Sequence, residues 1–352
     1  MNNSSEDMAI EADRRPAKQK ARTLVDLGKL AGVSAATVSR ALADNPLVND
    51  KTRETIKALA REHGFRPNQM ASRLRTQKTG VVGVVIPLGH DRSQHISDPF
   101  FMALLGHLAD ALTENGLSLM LSRAIPEEDP DWLERITGSG MVDGVLMIGQ
   151  SDQYDTIERT AESYGPLVVW GTHHPGQRHI AVGSDNVLGG YMAAEHLLQT
   201  GRRSIAFLGD LRGIEIGERF AGARDAVAQF GGPAKLQHLA IHLSIDEMTG
   251  EIAAGLDEIA GGIDGIVAAS DAIALAAIRQ LAERNYTVPK DIAVVGFDDL
   301  PMARHTVPQL TTVRQDIQRG ALAMVERLDA LSNGKPASSF VMRPELVVRS
   351  ST

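Results

Sequence analysis

The chain contains no cysteine. That excludes disulfides, zinc–thiolate sites and thiol catalysis. No apolar run approaches the roughly 18 residues that a membrane span needs. The opening stretch MNNSSEDMAIEADRRPAKQK holds no apolar segment of secretory type. A cytoplasmic protein with no membrane partner is therefore expected. Chemical signatures are missing too. There is no Gly-rich phosphate loop, no nucleophile elbow and no His/carboxylate metal set at recognisable spacing. His173-His174 is a pair without a third ligand, and Gly171 and Pro175 mark a loop around it. Neither an enzyme, a cofactor nor a metal site is expected. ELVVRSST after the last apolar run carries no leucine heptad, so a coiled-coil tetramer is not expected either.

What is present is unevenly charged. The net charge of −8 over 352 residues conceals two opposite parts. Residues 14–78 hold fifteen Lys/Arg against five Asp/Glu, whereas 79–352 hold twenty-one against thirty-five. A basic block beside an acidic body is the footprint of a nucleic-acid module attached to a domain with another task. At 43% hydrophobic residues the chain supports a substantial core, and its length suggests two or three domains.

Residues 1–21 are polar and read as a disordered extension. Thr23 opens a capping box with Asp26, and Gly32 ends the first helix. Ser34 caps a second helix, Ala35 to Leu42. Asn49 or Asp50 starts a third, which stops at Gly64. Leu27, Ala31, Val38, Leu42, Ile56 and Leu59 then share a small core. Helices across a Gly-containing turn, braced by a third, make a helix-turn-helix unit over 22–66. A basic linker, 67–79, follows. From Val81 the pattern changes to short apolar runs: VVGVVI, LSLML, VDGVLMI, LVVW, SIAFLG, DGIVAA and DIAVVGF. They alternate with helical stretches such as 101–114, 187–200, 215–229, 271–284 and 315–332. This βα repeat predicts parallel sheets covered on both faces, and 80–352 is long enough for two lobes.

LVDLGKLAGVSAATVSRAL and GFRPNQMASRLRTQKTG, followed by DPFF, AAEHLL, ERFAGARDA, SDAIALAAI, DIAVVGFDD and PQLTTVRQD in that order, resemble the lactose repressor/galactose repressor family of bacterial transcription regulators. The resemblance spans about 22–350. It implies an α/β protein with an N-terminal helix-turn-helix head and a two-lobed, periplasmic-binding-protein-like body with parallel sheets. It also implies a homodimer on pseudo-palindromic double-stranded operator DNA, with a small-molecule effector between the lobes.

By that resemblance the second helix lies in a major groove with Ala35, Ala36 and Arg40 at base edges. Arg can hold guanine bidentately, and an Ala methyl can touch a thymine methyl. The two alanines alternatively only raise helix propensity. Thr37, Ser39 and the helix end capped by Ser34 are candidate phosphate ligands. Thr23 and Asn68 complete the DNA-facing set. Gly28 stands where the family usually has alanine and should cost about 1 kcal/mol of helix propensity. In the linker, Leu74 matches the family's minor-groove wedge, with Arg73 and Arg75 on phosphates.

In a βα body, ligands sit at the carboxyl ends of strands. Asp98, Phe100, Phe101, Trp170, Asp271 and Asp298 follow such strands, and Arg219 lies early in a helix. Carboxylates and guanidinium suit vicinal hydroxyls, and aromatic faces cover a sugar ring. By resemblance Arg219 and Asp298 lead this set. Ile245 is a wall residue where an aromatic is often found, and His173 lines the same pocket. Asp271 is either a helix cap or a ligand. The expected function is repression of carbohydrate-utilisation genes, relieved by a saccharide. The alternative is a co-repressor-dependent regulator that senses a purine-like or phosphorylated metabolite.

Overall fold

The structure is a computed structural model. It describes residues 21, 23–65, 78–88, 96–126, 128–150 and 152–352, with backbone alone at 245 and 246. The expected disordered extension and hinge helix lie outside these residues, apart from Ala21, Lys78 and Thr79. The chain divides into two compact units, with the boundary between Lys78 and Thr79.

The first unit holds α1 (Leu24–Ala31), α2 (Ala35–Leu42) and α3 (Asp50–Glu62). The capping box forms as its spacing predicts. Thr23 Oγ1 accepts the Asp26 amide at 3.1 Å, and Asp26 accepts the Thr23 amide at 3.0 Å. Gly32 turns the chain with φ +66°, a conformation open to glycine at no steric cost. Leu27, Val38 and Ile56 are fully buried at the centre, and Ala31, Leu42 and Leu59 pack around them. Val48, Ala60 and Phe65 join this core as well.

Gly28 has a packing reason that propensity alone does not show. A Cβ there would sit 2.7 Å from the Val33 carbonyl oxygen and 3.4 Å from the Ala35 amide nitrogen. The turn between α1 and α2 rests on the bare Cα. Gly28→Ala is therefore expected to destabilise the head by about 1–3 kcal/mol, because overpacking against backbone outweighs the gain in helix propensity. Thermal unfolding of the full chain, followed at the head transition, checks the sign.

The body has two lobes, each with a six-stranded sheet. Lobe 1 contains β1 (Val81–Pro87), α4 (Pro99–Glu114), β2 (Ser118–Ala124), α5 (Trp132–Gly138), β3 (Gly144–Ile148), α6 (Tyr154–Ala161), β4 (Leu167–Trp170) and β5 (Ile180–Ser184). The chain then enters lobe 2 with α7 (Asn186–Gln199), β6 (Ser204–Leu208), α8 (Ile214–Phe230), β7 (Lys235–Leu239), α9 (Ile245–Ile259), β8 (Gly265–Ala268), α10 (Asp271–Glu283), β9 (Ala293–Asp298) and β10 (Thr311–Arg314). It returns to lobe 1 for α11 (Ile317–Ser332) and β11 (Phe340–Met342), and ends in lobe 2 with β12 (Glu345–Val347).

The sheet orders are β11-β5-β4-β3-β1-β2 and β12-β10-β9-β8-β6-β7. Neighbours run parallel except β10 and β12, which pair antiparallel. Central strands such as β3 and β4 are buried along their whole length, as their unbroken apolar runs require. In lobe 1, α4 and α11 share one core with the sheet, while Trp132 and Leu133 of α5 and Ile157 of α6 belong to a second. In lobe 2, α7 and α8 touch backbone to backbone. A Cβ on Gly190 would collide with the Arg219 carbonyl, and one on Gly222 with the Val187 carbonyl. That contact sets where α8 carries Arg219.

Candidate functional site

In the first unit, α2 presents an exposed face. Ala36 and Arg40 are exposed, one turn apart, while Ala35, Thr37 and Ser39 are half-buried. Ser34 Oγ accepts the Thr37 amide at 3.1 Å and lies 2.9 Å from the Thr37 hydroxyl, so these two hydroxyls share the cap. Nearby cations are already engaged: Arg53 donates to the Val48 carbonyl at 2.7 Å, and Lys57 pairs with Asp44 at 2.6 Å. Among the described residues, nothing holds the Arg40 side chain by an ion pair or hydrogen bond. Thr23 is occupied as the α1 cap. Asn68, Arg73, Leu74 and Arg75 lie outside the described residues.

In the body, a cleft of about 800 Å³, mouth included, opens between the lobes. Asp98, Phe100, Phe101, Trp170, Arg219 and Asp298 line it together. Lobe 1 contributes the aromatic side. Asp98 caps α4 by accepting the Phe100 amide at 2.8 Å, and this turns both phenylalanines to the cleft. Phe100 packs edge-on against Trp170, at 5.7 Å between ring centroids. Burial pushes the Asp98 carboxyl above its ordinary range.

Lobe 2 contributes the charged side. Arg219 is buried. Its Nε donates to Asn186 Oδ1 at 2.9 Å, its Nη1 donates to the Ala269 carbonyl at 2.5 Å, and its guanidinium lies 3.8 Å over the Phe297 ring. Burial lowers its pKa, and the carboxylates of Asp298, Glu215, Glu218 and Asp271 oppose that shift. Asp298 ends β9 with φ +118°, and Asp299 follows at φ +54°. Two successive non-glycine residues in this region store strain, a common mark of a ligand clamp. Asp298 is pushed up to about 7, first by burial, against the opposing pull of Arg219 and the Gln315 side chain. Gln315 Nε2 donates to Asp298 Oδ1 at 2.7 Å.

Two residues of the expected set, Asp271 and His173, stand elsewhere. The Asp271 carboxylate accepts the Leu300 amide at 2.8 Å and the Thr312 hydroxyl at 2.5 Å. It ties the start of α10 to β10 and does not line the cleft. His173 is exposed and outside the lining, because its loop turns outward while His179 occupies the buried position. Ile245 begins α9, and its side chain lies outside the described residues.

The sequence reading missed Glu215. It lines the cleft one turn before Arg219 on α8, and its Oε1 accepts the Gln150 amide from lobe 1 at 3.2 Å. Burial raises its pKa. Glu218 makes a second bond between lobes, accepting the Thr172 hydroxyl at 2.7 Å. The i−4 spacing from Arg219 was the available signal for Glu215.

A helix-turn-helix unit joined to a two-lobed body with a half-aromatic, half-charged cleft defines a ligand-controlled DNA-binding regulator. Residues 23–68 match the bacterial regulatory proteins of the lacI family, and 194–352 match the periplasmic binding protein-like domain. The chain belongs to the lacI family and is a DNA-binding transcriptional regulator, not an enzyme. It is 32% identical over 344 residues to the HTH-type transcriptional regulator RegA of Clostridium saccharobutylicum, covering 94% of this chain and 99% of that one. Among solved structures, the lac repressor dimer bound to operator and the anti-inducer ONPF shares the fold. Its TM-score is 0.81 at 24% identity, covering 95% of this chain and 99% of that one. A complex of the transcriptional regulator CelR with cellobiose aligns with TM-score 0.67 at 27% identity, covering 94% of this chain and 100% of that one. No helix among the described residues is long and apolar enough to cross a membrane.

Proposed function

We propose that the protein is a cytoplasmic, homodimeric repressor of carbohydrate-utilisation genes. It holds a pseudo-palindromic operator through α2 and the linker, and a saccharide in the cleft releases it. The observation that carries this reading is the division of the cleft. Phe100 and Trp170 offer apolar faces to a sugar ring, while Asp98, Glu215 and Asp298 offer acceptors for hydroxyls. Arg219 is already engaged with Asn186, Ala269 and Phe297 and surrounded by carboxylates. Among the described residues, no cation lining the cleft is left unneutralised to receive a phosphate, which counts against a phosphorylated effector. The cellobiose carried by CelR supports the same class.

The test has two stages. A saccharide panel is screened for ligands that raise the melting temperature of the full chain. Those ligands are then added to the protein on its operator, with fluorescence anisotropy as readout. Release is expected. A ligand that tightens the complex would replace repressor-inducer by co-repressor control.

On the DNA side, Ala36 and Arg40 are the base-reading pair, with Ala35 beside them. Ser34, Thr37 and Ser39 face phosphates, as do Thr23, Asn68, Arg73 and Arg75, and Leu74 is the wedge. Ala36→Gln adds a donor–acceptor pair suited to adenine. It is expected to change the preferred half-site by about 1–3 kcal/mol of discrimination at one base pair. Selection from random DNA measures this, and an unchanged consensus removes Ala36 from the reading set.

A further inference from the structure

We propose that His242, Glu247 and Glu251 form a binding site for a divalent first-row transition metal, with Zn2+ the foremost candidate. The proposal does not depend on the saccharide reading.

One ligand atom from each of the three residues lies within 4.8 Å of the others. Glu247 and Glu251 are one turn apart on α9, hence on the same face. His242 stands in the segment between β7 and α9. Its Nδ1 lies 2.5 Å from Glu251 Oε1, and its backbone amide donates to Glu251 Oε2 at 2.7 Å. Glu251 is thus fixed against the imidazole, with a proton between the two. A metal takes the place of that proton, bound by the Nδ1 lone pair and Oε1, and the proton is released. Ligands held at about 2.0–2.2 Å by one ion sit closer together than 4.8 Å. Glu247 is exposed, and by exchanging its present contact for the ion in another rotamer it would close the remaining gap.

A second observation comes from behind the ring. His242 Nε2 lies 3.8 Å from Asp210 Oδ2. With metal on Nδ1, the remaining ring N–H faces that carboxylate, and a short approach would give the hydrogen bond that orients metal-bound histidines. Asp210 is itself fixed, because Arg212 Nε and Nη2 donate to its two oxygens at 2.7–3.0 Å. The imidazole donor favours Zn2+, Co2+ or Ni2+ over Mg2+ and Ca2+. The neighbouring residues Leu243 and Gly213 line the cleft. A bound ion would therefore pin two wall segments at once.

Co2+ is the probe, because its visible absorption reports nitrogen and oxygen ligands directly. The full chain, stripped with chelator, is titrated with Co2+. The expected result is one equivalent bound with new visible bands, displaced by Zn2+ and not by millimolar Mg2+ or Ca2+. His242→Gln and Glu251→Gln should each weaken binding at least tenfold, and Asp210→Asn less. The double variant His173→Gln/His174→Gln should bind as the parent does. Absence of visible bands overturns the proposal. So does unchanged affinity in a folded His242→Gln protein, or loss of the site in the His173/His174 variant.

Discussion

Arg219→Ala is expected to lower the unfolding free energy of the body by about 3–5 kcal/mol, the usual cost of leaving buried charge uncompensated. Arg219 is the guanidinium among four carboxylates, Asp298, Glu215, Glu218 and Asp271. Its removal also strands Asn186 Oδ1 and the Ala269 carbonyl, and empties the space over Phe297. Arg219→Lys restores the charge but cannot span both acceptors with a planar fork, so it should fall in between. Urea unfolding of the three proteins reads the series. An alanine variant as stable as the parent would show that the carboxylates already sit protonated and need no counter-ion. Under the proposed function the same variant also stops responding to saccharide. The head is a separate unit, so operator affinity should stay near parental wherever the body remains folded.

Asp298→Asn should act in the opposite direction on stability while also abolishing effector release. The carboxyl is held near 7 in the folded protein, against an ordinary value of 3.8. Below about pH 4 it is protonated in both states and contributes nothing. As pH rises from there, the unfolded chain ionises first, so the folded state loses stability until the native group ionises near pH 7. The penalty is then complete and flat, on the order of 2–4 kcal/mol, shared with its buried partner Asp271. Asn carries no such penalty. The melting temperature of Asp298→Asn should therefore exceed the parent's by a margin that opens between pH 4 and 7 and stays constant above. A margin independent of pH would assign the titration to another group. A clamp that is strained and costly when empty is a trade of stability for function.

Much of this was legible in the sequence where the local signal was strong. The three head helices followed from Thr23, Ser34, Asn49 and Gly32, because caps and turn residues act within a few positions. The buried central strands showed as unbroken apolar runs. The edge strand β7, KLQHL, is half-exposed and mixes polar with apolar residues, so no run marks it. Helix α9 carries Gly250 and Gly255, which blur its periodicity. Six of the expected effector residues meet in one cleft because strand ends converge in this architecture. Asp271 also ends a strand–helix turn, but its carboxylate faces Leu300 and Thr312. That direction is set by β10, forty residues later, and no local pattern encodes it. The ligands around His242 lie within ten residues, but only the fold turns the His242 segment back onto the Glu247–Glu251 face of α9 and brings Asp210 behind its ring.

The threefold passage between lobes has a consequence for how the protein is made. Lobe 1 begins at Val81, yet α11 and β11, which complete its core and the edge of its sheet, come at 317–342. The ribosome must deliver nearly the whole chain before lobe 1 can close, and lobe 2 is finished only by β12. The head is contiguous and its helices are complete by Glu62. A nascent chain therefore carries a folded DNA-reading unit long before it has a cleft. A message cut short before Phe340 would leave that unit attached to two unfinished lobes, with apolar strand edges exposed to chaperones and proteases.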